Sequence, residues 1–142
     1  RMDEMSAAVG IAQIRKIKFL IDGRIKIANL YHKFLKGRED ILQAPMVGEH
    51  NVHTWFLYVV LIKAGKAKRD QLIARLGERG ISTKPYLPSI HLAQFYKKLY
   101  GFKLGDFKIS ERVSNTALAL PIYIGLTKED IKYICEQLVL LI

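Results

Sequence analysis

From Ala7 to Ile14 the chain reads AAVGIAQI, and Gln13 is its only polar side chain. The composition is strongly helix-forming. A helix that is apolar on every side expects burial on several sides at once. Ser6, Ala7, Ala8, Gly10 and Ala12 are small, which permits close approach of another backbone. A chain of 142 residues has enough material for one core, but not to enclose such a helix as well. The first segment therefore predicts a larger body packed against it, with this chain as one part of something bigger.

Beyond Ile14 the pattern turns amphipathic. Ile17, Ile21, Ile25, Ala28 and Leu35 fall on one side and lysines on the other. The reading is one long helix from about Asp3 to Lys36, stopped by Gly37. Gly23 costs about 1 kcal/mol inside a helix and is the candidate kink. A helix of that length bridges parts or pairs with a partner.

The remainder alternates strand and helix. Residues 37–51 are polar and broken by Pro45 and Gly48, hence a loop. VHTWFLYVVLIKAG, residues 52–65, is β-branched and aromatic and predicts a central strand, with Trp55 in the core. Lys68 to Arg79 predicts a short helix, with Leu72, Ile73 and Leu76 inward and Gly80 as its stop. Ile81 to Lys84 predicts a short strand. Ile90 to Tyr100 predicts a helix burying Leu92, Phe95, Tyr96 and Leu99, and Ile109 to Thr116 another. Leu118, Leu120, Ile122 and Ile124 alternate as a strand, with Pro121 at a sheet edge. Thr127 followed by Asp130 is a capping box for a last helix, Lys128 to Leu141. The sum is an α+β layer: a small, mostly antiparallel sheet with helices on one face.

Twenty-three Lys and Arg against thirteen Asp and Glu give a net charge of +10, which favours anionic partners. The basic residues are dispersed, so a solvated surface and a nucleic-acid footprint both remain open. One cysteine excludes an internal disulfide and fits a reducing compartment. On one face with Ile131 and Leu138, Cys135 reads as a packing thiol. No apolar run reaches the ~18 residues of a membrane span. Phosphate-cradling glycine loops are absent. His50 and His53 are three apart but lack further ligands, so no metal site is expected.

The chemistry concentrates in GISTKPYLPSIHLAQFYKKLY, residues 80–100. Pro85 and Pro88 stiffen the backbone and remove two amide donors. A cation, a phenol and an imidazole at Lys84, Tyr86 and His91 fit a phosphorylated ligand. The plainer reading is a surface loop before an amphipathic helix. His53, at the start of its strand, is either a cleft-edge group or a solvated one.

Four segments in order resemble the DegT/DnrJ/StrS nucleotide-sugar aminotransferases. RMDEMSAAVGIAQI is similar to the family's N-Y-R-M helix, and RDQLIARLGERGIST to the helix and turn before its substrate loop. PYLPSIHLAQFY resembles the aromatic-Pro-His loop. The closing GDFKISERVSNTALALPIYIGLTKEDIKYICEQL carries E-R, L-x-L-P and G-L-T-x-E-x marks. The resemblance covers essentially the whole chain. It implies the C-terminal small domain of the aspartate-aminotransferase-like (type I) fold. Residues 1–37 would be a helix linking to a cofactor-binding domain, and 38–142 the small domain.

The implied activity is transfer of an amino group, usually from glutamate, to a keto group on a nucleotide-linked sugar. Amino-sugar or cell-surface polysaccharide biosynthesis, in the cytoplasm, is the implied setting. The implied cofactor is pyridoxal 5'-phosphate, bound as a Schiff base to a lysine upstream of the N-Y-R-M segment. That lysine has no counterpart among these residues, so the chain alone is expected to be an inactive fragment with no catalytic residue. Arg1 matches the arginine beside an asparagine that reaches a neighbouring subunit's cofactor phosphate. His53 falls where the family often has a histidine near the active site. Tyr86 stands where many members have a histidine, facing the sugar or its diphosphate, and His91 matches the loop's second histidine. Lys84 is at a variable position within reach of a phosphate. A homodimer is implied, and neither a membrane nor nucleic acid as a partner. The rival reading is a basic binding or regulatory module without catalysis.

Overall fold

The structure is a computed structural model describing residues 1–142. Its first two helices, α1 (Glu4–Ile14) and α2 (Ile17–Leu35), replace the single long helix expected from the pattern. The break lies at Arg15–Lys16, where the Lys16 amide bonds to the Gln13 carbonyl and tightens the last turn. The break coincides with the change from an apolar-all-round helix to an amphipathic one. Not one residue of α1 is buried, while α2 turns Ile27, Ala28, Tyr31 and Leu35 into the core. Gly23 does not kink. A Cβ there would stand 3.2 Å from Ile124, so the glycine lets the closing segment approach the helix.

Four short strands follow: β1 (Leu42–Gln43), β2 (Tyr58–Ile62), β3 (Lys84–Pro85) and β4 (Ala117–Leu120). They form one sheet in the order β1-β2-β4-β3, and every neighbouring pair is antiparallel. The expected α+β layer is the observed one. Around the sheet stand α3 (Gly65–Glu78), α4 (Gln94–Tyr100), α5 (Lys108–Thr116) and α6 (Lys128–Leu141). The α3 helix packs on β2, β3 and β4, and α6 packs on α2 and α3. One core joins them, with Tyr31, Tyr58, Leu72, Leu76, Leu118, Ile131 and Leu138 fully enclosed. The C-terminal half of α2 is thus part of the same core.

Two elements are shorter than the sequence suggested. Residues 52–57 do not pair, and the strand begins only at Tyr58. Trp55 has φ 51, a left-handed conformation that interrupts any extended run. Its amide donates to His53 Nδ1 at 2.9 Å, and its ring stacks near Tyr58, so the residue is buried as expected but not on a strand. Strand β4 ends at Leu120 rather than Ile124. It lies inside the sheet, not at an edge. Pro121 follows it, unable to continue the ladder, and its carbonyl accepts a 2.7 Å bond from Tyr31 Oη.

The helix expected over Ile90–Tyr100 is a 3₁₀ turn, Ile90–Leu92, then α4, separated by Ala93 in an extended conformation. Re-aiming the chain there turns Phe95 and Leu99 outward, 66% and 58% exposed, and His91 takes the inward place. The last helix is as expected. Thr127 and Asp130 form the reciprocal cap, and Cys135 is buried with Ile131 and Leu138.

Candidate functional site

Sheet geometry decides which candidate residues meet. Strand β3 pairs Lys84 with Ala119 and Pro85 with Leu118, so it runs towards the N-terminal end of β4. Strand β2 runs the same way, ending opposite Ala117. After Pro85 the chain leaves the sheet beside the start of α3 and the end of α5. Pro85 and Pro88 hold it there with fixed φ angles and no amide donors.

The loop walls a cleft of ≈ 750 Å³ whose polar lining is Lys66, Arg69, Tyr86, Ser89, Ser114 and Asn115. That volume is within the range of small-ligand sites. On the loop's other side a hollow of ≈ 430 Å³ is lined by Tyr86, His91, Phe107 and Ser110. Tyr86 belongs to both and is partly exposed, an apolar ring with a polar tip at a shared rim.

His91 is turned inward and is 8% exposed. Its Nε2 lies 2.9 Å from Glu111 Oε1, and its ring packs against Phe107 and Phe102. An Nε2–H donor leaves Nδ1 as the acceptor. Glu111 also accepts from the amides of Gly105 and Phe107. Burial raises the Glu111 pKa, but these amides and the imidazole outweigh it and hold the carboxyl below its ordinary value of 4.5. One carboxylate thus ties the loop histidine to the start of α5.

Arg69 sits on the buried stripe of α3 with Leu72 and Leu76. Its Nη1 donates to the carbonyls of Ala117 at 2.7 Å and Ser114 at 3.2 Å, and its Nε to Asp70 at 2.6 Å. A guanidinium in an otherwise apolar stripe thereby joins α3 to the α5–β4 junction.

The remaining candidates stand apart. Lys84 is exposed on β3, outside the cleft's lining. His53 precedes β2 and so lies towards the opposite end of the sheet from Tyr86 and His91. Its Nδ1 accepts from the Trp55 amide at 2.9 Å. Arg1 is exposed ahead of α1 and bonds to no other residue. Reading the sequence missed Glu111, Arg69, Lys66 and Asn115. Arg69 had a usable signal: it stands at the i, i+3, i+7 spacing with Leu72 and Leu76, where a cation has to find partners. The other three are brought to the loop only by tertiary contact.

Pyridoxal phosphate needs an amine enclosed beside it and donors for its phosphate. No lysine of these 142 residues is buried, and Arg1 has no enclosing wall. The residues present do not fit the group by themselves, and no covalent step is assigned to them.

The profile of the DegT/DnrJ/EryC1/StrS aminotransferase family matches residues 1–139. The dTDP-4-amino-4,6-dideoxy-D-glucose transaminase of Escherichia coli is 31% identical over 141 residues, covering 97% of this chain and 38% of that protein. The GDP-perosamine synthase of Caulobacter vibrioides is 29% identical over 139 residues, covering 97% of this chain and 37% of that protein. Among solved structures, the PLP form of the putative sugar aminotransferase Spr1654 from Streptococcus pneumoniae superposes with TM-score 0.90 at 21% identity. It covers 99% of this chain and 36% of that one, and it establishes likeness of fold. The chain spans about a third of the length of the curated relatives it matches.

Proposed function

This chain belongs to the DegT/DnrJ/EryC1/StrS aminotransferase family, and on that basis we propose that it is the small-domain portion of a nucleotide-sugar aminotransferase. The enzyme would move an amino group, with glutamate as donor, to a keto group of the sugar. The relatives act on dTDP- and GDP-linked sugars by their names, which supports the substrate class and leaves the nucleotide open. Their coverage supports a second region, outside these residues, that holds pyridoxal phosphate. When bound, that cofactor supplies the electron sink for the amino transfer.

One observation carries the reading. The segment that resembles the family's aromatic-Pro-His loop is also the shared wall of two clefts. The role of these residues is binding and orientation. Tyr86 offers its hydroxyl at the rim to the sugar or diphosphate, and Lys84 offers a mobile cation to phosphate. Two prolines and the His91–Glu111 bond hold the loop before substrate arrives, so less freedom is lost on binding. His53 would contact the substrate from the far end of the sheet, and Arg1 a neighbouring subunit's cofactor phosphate. Both roles need a second copy, which makes a homodimer part of the proposal. The unburied apolar face of α1 supports such a covering body.

The rival basic binding module is not favoured by the relatives. The test uses the protein encoded by the complete reading frame containing this segment. With pyridoxal phosphate it should show a Schiff-base absorption band and convert a keto-sugar nucleotide in the presence of glutamate. Loss of both signals would overturn the proposal.

A further inference from the structure

The connection between β1 and β2 carries His53, yet few bonds hold it. Across residues 45–56 the one main-chain hydrogen bond runs from the Asn51 amide to the Gly48 carbonyl, at 2.9 Å. The tie to the rest of the chain is His32, a half-buried residue of α2. Its Nε2 stands 2.9 Å from the Pro45 carbonyl oxygen and its Nδ1 2.8 Å from that of Ala28. A carbonyl oxygen only accepts, so both ring nitrogens must donate. A neutral imidazole has one N–H; only the imidazolium has two. In a neutral ring one bare nitrogen would face a carbonyl oxygen, lone pair against lone pair. The ring is rigid, so turning it away from one carbonyl misaligns the other bond as well. Its surroundings suit a positive charge. The rings of Trp55 and Tyr58 lie 5.4 and 5.3 Å away, centroid to centroid, within cation–π range. None of the chain's ion pairs involves His32. The ionisable groups around it are Lys33 and Lys36 on α2 and Glu49 and His50 beyond Pro45, all exposed. From β2 comes Tyr58, whose hydroxyl burial keeps protonated, and across the Trp55 ring stands His53.

We propose that His32 is a positioning residue for His53. As a doubly donating imidazolium it clamps the β1–β2 connection onto α2 and sets the Trp55 ring on which His53 rests; on losing a proton it releases both. The chain of contacts is continuous. His32 meets Trp55 edge-on, the Trp55 ring lies 4.4 Å from that of His53, and the Trp55 amide donates to His53 Nδ1 at 2.9 Å. Trp55 keeps a φ of 51, a conformation that persists only where its surroundings hold it. Histidine in general changes charge between about pH 5 and 8, so the clamp is closed on the acid side of the titration and lost as pH rises through it. The use made of His53 rests on the proposed function, but the clamp stands on the two carbonyl bonds alone.

Long-range ¹H–¹⁵N correlation spectra of the 142-residue chain read the ring nitrogens directly. At about pH 5 both nitrogens of His32 should carry protons, and the amides of Met46 and Trp55 should shift with the midpoint at which one proton leaves. His32→Phe keeps a ring against Trp55 and Tyr58 and removes both donors. Its Met46 and Trp55 amides should stand near the parent's alkaline positions at every pH. His53→Gln separates the two histidines and should leave the His32 transition in place. A single neutral tautomer of His32 at about pH 5, or an unchanged Met46 and Trp55 transition in His32→Phe, would overturn the clamp. In the complete protein, the KM for the nucleotide sugar should rise with pH over the same range. In His32→Phe it should be about fivefold higher at the acid end and lose that part of the profile. The same KM profile in both proteins would overturn the positioning of His53. Failure of the glutamate half-reaction in the parent would overturn the aminotransferase reading instead, and the nitrogen spectra would still decide the clamp.

Discussion

Replacing Arg69 by methionine tests whether the α3–β4 junction depends on one guanidinium. Methionine keeps most of the aliphatic packing and removes every donor. The Ala117 carbonyl, bonded at 2.7 Å in a buried setting, would lose its partner, at a cost of about 1–3 kcal/mol. The Ser114 carbonyl is half-buried and its bond is 3.2 Å, so it adds about half as much. The pair with half-exposed Asp70 adds about 0–1 kcal/mol. Removing a charge that no longer needs burial returns part of this sum. The net loss should be about 2 kcal/mol. In urea, with a slope of about 2 kcal/mol/M for a chain of this size, the midpoint should fall by about 1 M. Arg69→Lys should recover less than half, since an ammonium cannot fork to two carbonyls. An unchanged or raised midpoint in Arg69→Met would refute the idea that the guanidinium holds the junction.

Other outcomes follow from the buried polar groups. Tyr58 Oη is buried without a partner, so Tyr58→Phe should cost nothing or add up to about 1 kcal/mol of stability. Tyr31→Phe should lose about 1–2 kcal/mol, since Pro121 O would be left unbonded; equal effects in the two variants would contradict this. The folded-state pKa of Glu111 is depressed, so its contribution is present above the ordinary carboxylate range and lost as pH falls through the folded value. Amide exchange at Gly105 and Phe107, corrected for intrinsic pH dependence, should therefore lose protection on acidification below about pH 4.5, and Glu111→Gln should flatten that profile. Burial, helped by Glu136, pushes the Cys135 thiol up to about 12, so alkylation of the folded chain at pH 8 should be negligible and become rapid in urea.

Elements with a local cause were legible in the sequence. Lys128–Leu141 followed from its cap and its apolar spacing, and both features are internal to the segment. The antiparallel sheet followed from short β-branched runs between turn residues. Errors arose where one backbone conformation or one side-chain bond overrides the residue pattern. Whether Val52–Leu57 pairs is settled by the left-handed Trp55, whose amide donates to His53 Nδ1, not by β propensity. Phe95, Tyr96 and Leu99 match a helix's inward spacing, but Ala93 re-aims the helix and turns that face out. At the site, the proline-stiffened loop was visible from its residues alone. Its anchor, Glu111, lies 20 residues beyond His91 and became visible only through the fold.

The most direct test of the central claim, that this segment supplies the sugar-facing edge of an aminotransferase, separates the two half-reactions of the complete protein. Transfer of ¹⁵N from glutamate to a keto-sugar nucleotide would be followed in the parent and in Tyr86→Ala. The account predicts a KM for the nucleotide sugar raised about tenfold, the scale of one lost polar contact, with the glutamate half-reaction unchanged. An unaltered KM for the sugar nucleotide, or a defect confined to the glutamate step, would contradict it.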